Sequence, residues 1–114
     1  MRDHRLYLIH IEECLARIHQ YLEGGRESFV TSTLIQDAVL RNLQVLAQSS
    51  QNLSESTKAS HPEVDWRGIT AFRNILVHDY LGVSLIRVWE IIEHELPKLT
   101  ARIRSILSSF EETQ

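Results

Sequence analysis

Apolar residues recur every three or four positions along most of this chain, which gathers them on one face of a helix. Leu8, Ile11, Leu15, Ile18 and Leu22 form the first stripe and predict a helix over about residues 2–22, ended by Gly24-Gly25. A second helix carries Leu34, Ile35, Ala38, Val39, Val45 and Leu46. Thr33 with Gln36 makes a capping-box start for it, and Ser28 or Ser32 offers an alternative. It extends to about residue 57, although the polar run at 49–52 leaves its far end open. Lys58 to Pro62 reads as a loop, because a residue before proline is pushed away from helical angles. Asp65 is placed to cap a third helix running from Trp66 to about Val77, and Gly82 marks a break. Leu85, Val88, Ile92, Leu96, Leu99 and Ile103 then open one long stripe that continues to Phe110. Pro97 interrupts it, either kinking one helix or opening another; both halves pack on the same core. Residues 111–114 are expected to fray. The pattern predicts an all-α fold, a four- to five-helix bundle, antiparallel where loops are short.

Composition narrows the class. The 114 residues include only four Gly and two Pro, which favours helices, and they are expected to form one domain over 1–114. A bundle this small gains stability by dimerising. One cysteine, Cys14, excludes an internal disulfide and a Cys-rich zinc site and points to a reducing compartment. The N-terminus mixes charges into its apolar residues, unlike a signal peptide, and no stretch approaches the roughly 18 apolar residues of a membrane span. A cytoplasmic protein without membrane contact is expected. The net charge of −3 argues against gripping long duplex DNA. The charge is uneven: residues 1–65 hold six Lys/Arg against nine Asp/Glu, and residues 66–104 hold six against four. That distribution is compatible with a short RNA contact in the second half.

The unusual segment is Phe72-Arg73-Asn74-Ile75-Leu76-Val77-His78-Asp79-Tyr80, where polar groups punctuate an apolar run. Polar groups lodged among core residues destabilise a fold unless they find partners, so their presence points to function. An offset of four sets Asn74 and His78 on one face, where the amide could hold the imidazole in one tautomer. An offset of five turns Arg73 about 140° away from His78 on a straight helix. The two share a face only if the helix ends near His78; otherwise a symmetry mate completes the site.

Arg and His together suit RNA cleavage without metal. Imidazole ionises near working pH and can take the proton of a ribose 2′-hydroxyl. Guanidinium can grip the scissile phosphate with two hydrogen bonds and stabilise its growing charge. The expected product is a 2′,3′-cyclic end, and DNA, which lacks the hydroxyl, is spared. Arg73, His78 and Asn74 are therefore the candidate catalytic residues. No cofactor and no metal are expected, since the remaining histidines, His4, His10, His19, His61 and His94, show no metal-ligand spacing.

The pattern Arg73-x4-His78-x-Tyr80, with its surroundings DWRGITAFRNILVHDYLGV, resembles the signature of HepT-type toxins of the HEPN superfamily, and the similarity spans nearly the whole chain. The resemblance implies an all-helical, dimeric ribonuclease. It also implies a toxin–antitoxin pair, in which a small nucleotidyltransferase antitoxin, MntA, adds AMP to the motif tyrosine. Tyr80 would then be the modified residue. A non-catalytic module that holds a nucleotide or docks such a partner is the alternative.

Other residues have plainer readings. Trp66 and Trp89 are expected as core or interface anchors, Asp79 as a solvent-facing or helix-terminal group, and Glu90, Glu93 and Glu95 as a solvated face. Arg41-Asn42 could line the same cleft, although a surface or interface contact fits as well. Cys14 lies beside Glu12 and Glu13 with no basic activator in view, so a buried, inert thiol is expected.

Overall fold

The computed structural model describes the backbone of residues 2–78 and 84–112 and the side chains of residues 4–74 and 84–110. Among these, all regular structure is helical: α1 (Arg2–Tyr21), α2 (Gly25–Thr31), α3 (Thr33–Gln51), α4 (Glu55–Ser60), α5 (Trp66–His78) and α6 (Leu85–Glu112). Four long helices match the expected stripes. The two short ones, α2 and α4, arise where the polar signals were ambiguous.

The α1 stripe is buried as the spacing requires: Leu8, Ile11, Leu15 and Ile18 are at most 2% exposed. Gly25 ends the turn after α1 at φ +82°, where a side chain would be strained. It opens α2, whose Phe29 is fully buried and stacks obliquely on Trp89 of α6 at 5.9 Å between ring centres. Ser32 begins α3: its backbone is extended and its hydroxyl accepts from the Ile35 amide at 3.2 Å. Gln36 does not complete a capping box. Its amide instead donates to the Phe29 carbonyl at 2.9 Å, tying α3 to α2.

The second helix ends earlier than the pattern indicated. α3 stops at Gln51, and Ser54 caps a separate turn, accepting from the Thr57 amide at 3.1 Å. Lys58 to Ser60 are therefore helical, not loop. The proline effect falls one residue later, on His61, whose φ −129° and ψ 65° are not helical. α4 is fastened to the start of α1 by a 2.8 Å bond between Thr57 Oγ1 and His4 Nδ1.

α1 packs most extensively on α3 and also against α6, and α3 in turn carries α5. Arg104 of α6 reaches Glu12 at 3.6 Å while Trp89, five residues into α6, lies at the α2 end, so α6 runs antiparallel to α1. Val88, Ile92, Ile103 and Ile106 bury the α6 stripe on both sides of Pro97. α6 is one 28-residue helix with Pro97 inside it. Pro97 is exposed, so water can serve the Glu93 carbonyl that loses its intrahelical donor. Leu34, expected with the apolar set of the second helix, is 79% exposed; Leu40, Leu43, Ala47 and Leu53 are buried instead. No helix among the described residues is long and apolar enough to cross a membrane.

Candidate active site

α5 carries the candidate residues, and its own first turn fixes where it begins. Asp65 accepts from the Gly68 amide at 2.9 Å, as expected of an N-cap. Trp66 donates from Nε1 to the carbonyls of Lys58 and His61, both at 3.1 Å, so the indole anchors the α4–α5 connection. Ile69 and Phe72 pack on the core. With Leu43, Leu46 and Ala47 of α3 and Ile91, Leu96 and Leu99 of α6 they wall a groove of about 140 Å³. Its rim carries Asp65, Glu95, Lys98 and Arg102.

Arg73 follows directly after Phe72 and is half-buried; Asn74 is exposed. The Arg73 Nη1 donates to Asn74 Oδ1 at 3.4 Å, a long bond that sets the two polar groups side by side. No carboxylate among the described residues pairs with the Arg73 guanidinium. Among the described residues, therefore, no ion pair accounts for this arginine. α5 is helical through His78, so a regular backbone separates Arg73 from His78. The imidazole of His78 lies outside the described side chains, and Asp79, Tyr80 and Gly82 lie outside the described residues. The expected Asn74–His78 contact thus falls outside them too. Chain length still places this end of α5. Six Cα steps join His78 to Ser84, at most about 3.8 Å each, so His78 stands within about 23 Å of the α2 end of the bundle where α6 starts.

The remaining candidates are accounted for locally. Asn42 donates from its side-chain amide to the Ala38 carbonyl of its own helix at 2.9 Å. Burial pushes the Cys14 thiol above its ordinary value near 9.0; nearby Arg17 opposes this and Glu13 adds to it. The inert reading holds, but a basic neighbour, Arg17, is present one turn on, where only acidic neighbours were in view. His61 meets Glu63 at 3.4 Å. Among the described residues no three His, Cys, Asp or Glu side chains gather as a metal site would need. The Gln36–Phe29 and Trp66–His61 ties were not foreseen; each is a side chain reaching a backbone carbonyl, which leaves no periodic trace in a sequence.

The chain is similar to known proteins over most of its length. The chain is 30% identical over 99% of its length to a Methanocaldococcus jannaschii protein named "Gamma-glutamylcyclotransferase and putative RNase" and spans 51% of that protein. It is 32% identical over 94% of its length to a "Putative RNase" of Caldanaerobacter subterraneus, covering 96% of it. It is 30% identical over 92% of its length to a "Probable ribonuclease HepT" of Thermococcus cleftensis, again covering 96%. No solved structure matches the chain. The HepT-like family model, described as ribonuclease HepT-like, matches residues 11–106, a span that includes α5 with Arg73. With its helical bundle and this match over most of its length, the chain belongs to the HepT-like ribonuclease family of the HEPN superfamily.

Proposed function

We propose that this protein is a metal-independent endoribonuclease, the toxin of a toxin–antitoxin pair, with residues 1–114 acting as one domain. The observation that carries the reading is Arg73: half-buried, bonded only to the neighbouring Asn74 and without a carboxylate partner among the described residues. A guanidinium so placed is a phosphate holder. His78 takes the proton of a ribose 2′-hydroxyl, and the resulting oxygen attacks the adjacent phosphorus. The bond to the 5′ oxygen breaks, that oxygen takes up a proton, and a 2′,3′-cyclic phosphate remains. Arg73 stabilises the charge that collects on the non-bridging oxygens. Asn74 orients the imidazole.

Two copies act together in this reading. Arg73 and Asn74 are adjacent on a helix whose regular turns separate Arg73 from His78, and a two-fold partner brings a second set into one cleft. The largely apolar groove beside α5 supports such an interface. Neutralisation follows from a nucleotidyltransferase antitoxin of the MntA kind, which adds AMP to Tyr80. The new phosphodiester charge pairs with Arg73, and the adenosine fills the cleft.

The test is incubation of the purified protein with RNA and excess chelator. Cleavage that persists, leaves 2′,3′-cyclic ends and disappears in Arg73→Ala and His78→Ala supports the reading. If His78→Ala cuts as fast as the parent, the mechanism is wrong. RNA or nucleotide binding without cleavage would instead identify a non-catalytic HEPN binding or docking module.

A further inference from the structure

α5 differs from the other helices in its charge. Every other described helix holds at least one Asp or Glu, whereas α5, WRGITAFRNILVH, holds none and carries two arginines, in a chain whose net charge is −3. The carboxylate that precedes it, Asp65, is committed to the Gly68 amide at 2.9 Å.

Exposure shows which residues of α5 face outward. Among the side chains described from Trp66 to Asn74, the exposed ones are Arg67, Ala71 and Asn74. Steps of four and three residues are those of a single helical ridge. The next step of four reaches His78, where the backbone is still helical. At about 100° per residue, all four positions fall within a sector of about 60°. The opposite side of the helix, with Gly68, Ile69 and Phe72, lines the groove shared with α3 and α6. Arg73 falls on a flank between the two sides, which agrees with its half-burial. The outer ridge of α5 thus begins at Arg67 and reaches the position of His78 about 16.5 Å further along the axis.

Arg67 is exposed, and no carboxylate among the described residues pairs with it. Between Arg67 and Asn74 the ridge presents only the methyl group of Ala71, so a chain laid along it can approach the helix closely. With a cation at its start, an amide and an imidazole position at its end and no carboxylate along its length, the ridge suits a polyanion.

We propose that the outer ridge of α5 is the track of the RNA strand, with Arg67 holding a phosphate that flanks the scissile one and the sugar–phosphate backbone passing over Ala71. The proposal rests on the ribonuclease reading for its substrate class. It adds a binding residue outside the Arg73–Tyr80 segment. A guanidinium grips a phosphate through charge-assisted hydrogen bonds, and such a contact fixes where the strand lies without reading its bases.

The experiment measures binding of a fluorescently labelled single-stranded RNA to the His78→Ala protein across a range of salt, alone and with Arg67→Ala or Ala71→Glu added. Both added substitutions fall at exposed positions, so neither disturbs the core. Arg104→Ala is the control for general loss of positive charge, because Arg104 lines the groove between α1 and α6 and meets Glu12 at 3.6 Å. Arg67→Ala is expected to weaken binding on the order of tenfold and to flatten the salt slope by about one counterion. Ala71→Glu, which sets a carboxylate in the middle of the track, should weaken binding at least as much, and Arg104→Ala should do neither. In cleavage assays of the His78 protein the Arg67→Ala loss should appear in KM, and Arg67→Lys should restore part of it. Equal weakening by Arg67→Ala and Arg104→Ala, parental affinity in Arg67→Ala or Ala71→Glu, or no RNA binding by the parent would each overturn the proposal. Binding that depends on Arg67 and Ala71 in a protein that cuts no RNA would sustain it while sinking the ribonuclease reading. Cleavage that ignores both substitutions would do the reverse.

Discussion

Asp65 and Gly68 give a stability prediction that can be worked from their geometry. The Asp65 carboxylate accepts the Gly68 amide at 2.9 Å, and a Cβ built on Gly68 would run into that same carboxylate, with Oδ1 at 3.2 Å and the other carboxyl atoms closer still. Asp65 is exposed, so its removal lets water reach the freed amide, and the cost is that of a lost cap, about 1 kcal/mol. Gly68→Ala gains up to about 1 kcal/mol of helix propensity at this first-turn position, but in the parent it displaces the cap and gives back a similar amount. In the parent, Gly68→Ala is therefore expected to be nearly neutral. In an Asp65→Ala background the same substitution should stabilise by about 1 kcal/mol, a coupling of the same size between the two sites. Urea unfolding followed by helical circular dichroism, at one fixed protein concentration, reads all four corners of the cycle. In thermal unfolding the coupling amounts to about 4 °C for a chain of this length. Identical effects of Gly68→Ala in both backgrounds would refute the argument, because the clash with the capping carboxylate is the only source of the difference.

The other predictions concern assembly, modification and the thiol. Light scattering should show a homodimer at micromolar concentration; a monomer with full activity would rule out the shared cleft. Coexpression with the nucleotidyltransferase partner should add about one AMP mass, or multiples of it, to this chain, mapping to Tyr80. An inhibited but unmodified chain would leave steric blocking as the answer, and Tyr80→Phe should fold yet escape neutralisation. Cys14 should react slowly with an alkylating reagent in the folded protein and quickly in urea, since burial holds its thiol in the neutral form. The sign follows for stability: the unfolded thiol ionises first, so this contribution is complete below the ordinary value near 9.0 and declines as pH rises past it toward the folded value. A folded-state reaction as fast as that in urea would contradict it.

Periodicity made the long helices legible because each buries one continuous stripe, and Ile11, Ile18, Val88 and Ile103 are inside for that reason alone. Asp65 was legible as a cap because an acidic residue directly before an apolar run has few other local uses. The second break in the middle of the chain was not legible. Ser54 and the run at 49–52 are polar whether the helix continues or restarts, and the choice was made by the Ser54 hydroxyl, which accepts from the Thr57 amide, and by the bond between the Thr57 hydroxyl and His4. Ser49 and Ser50 are even buried, at 7% and 2%, with the Ser50 hydroxyl returned to the Ala47 carbonyl. For the site, sequence spacing singled out Arg73 and Asn74 as candidates but could not show that no carboxylate among the described residues pairs with Arg73.

The way α5 is held has a consequence for motion. Among the described residues its helix-to-helix packing is on α3, whereas α1 is gripped by both α3 and α6. Free energies of opening scale with the apolar contact that must be broken, so α5 can lift from its seam at less cost than the bundle unfolds. Its amides then exchange with solvent through a local excursion rather than through global denaturation. Whatever covers the free side of α5 raises that opening energy, so ligation at this helix would be read out as slowed exchange well away from the ligand itself, along the whole run from the Asp65 cap to His78.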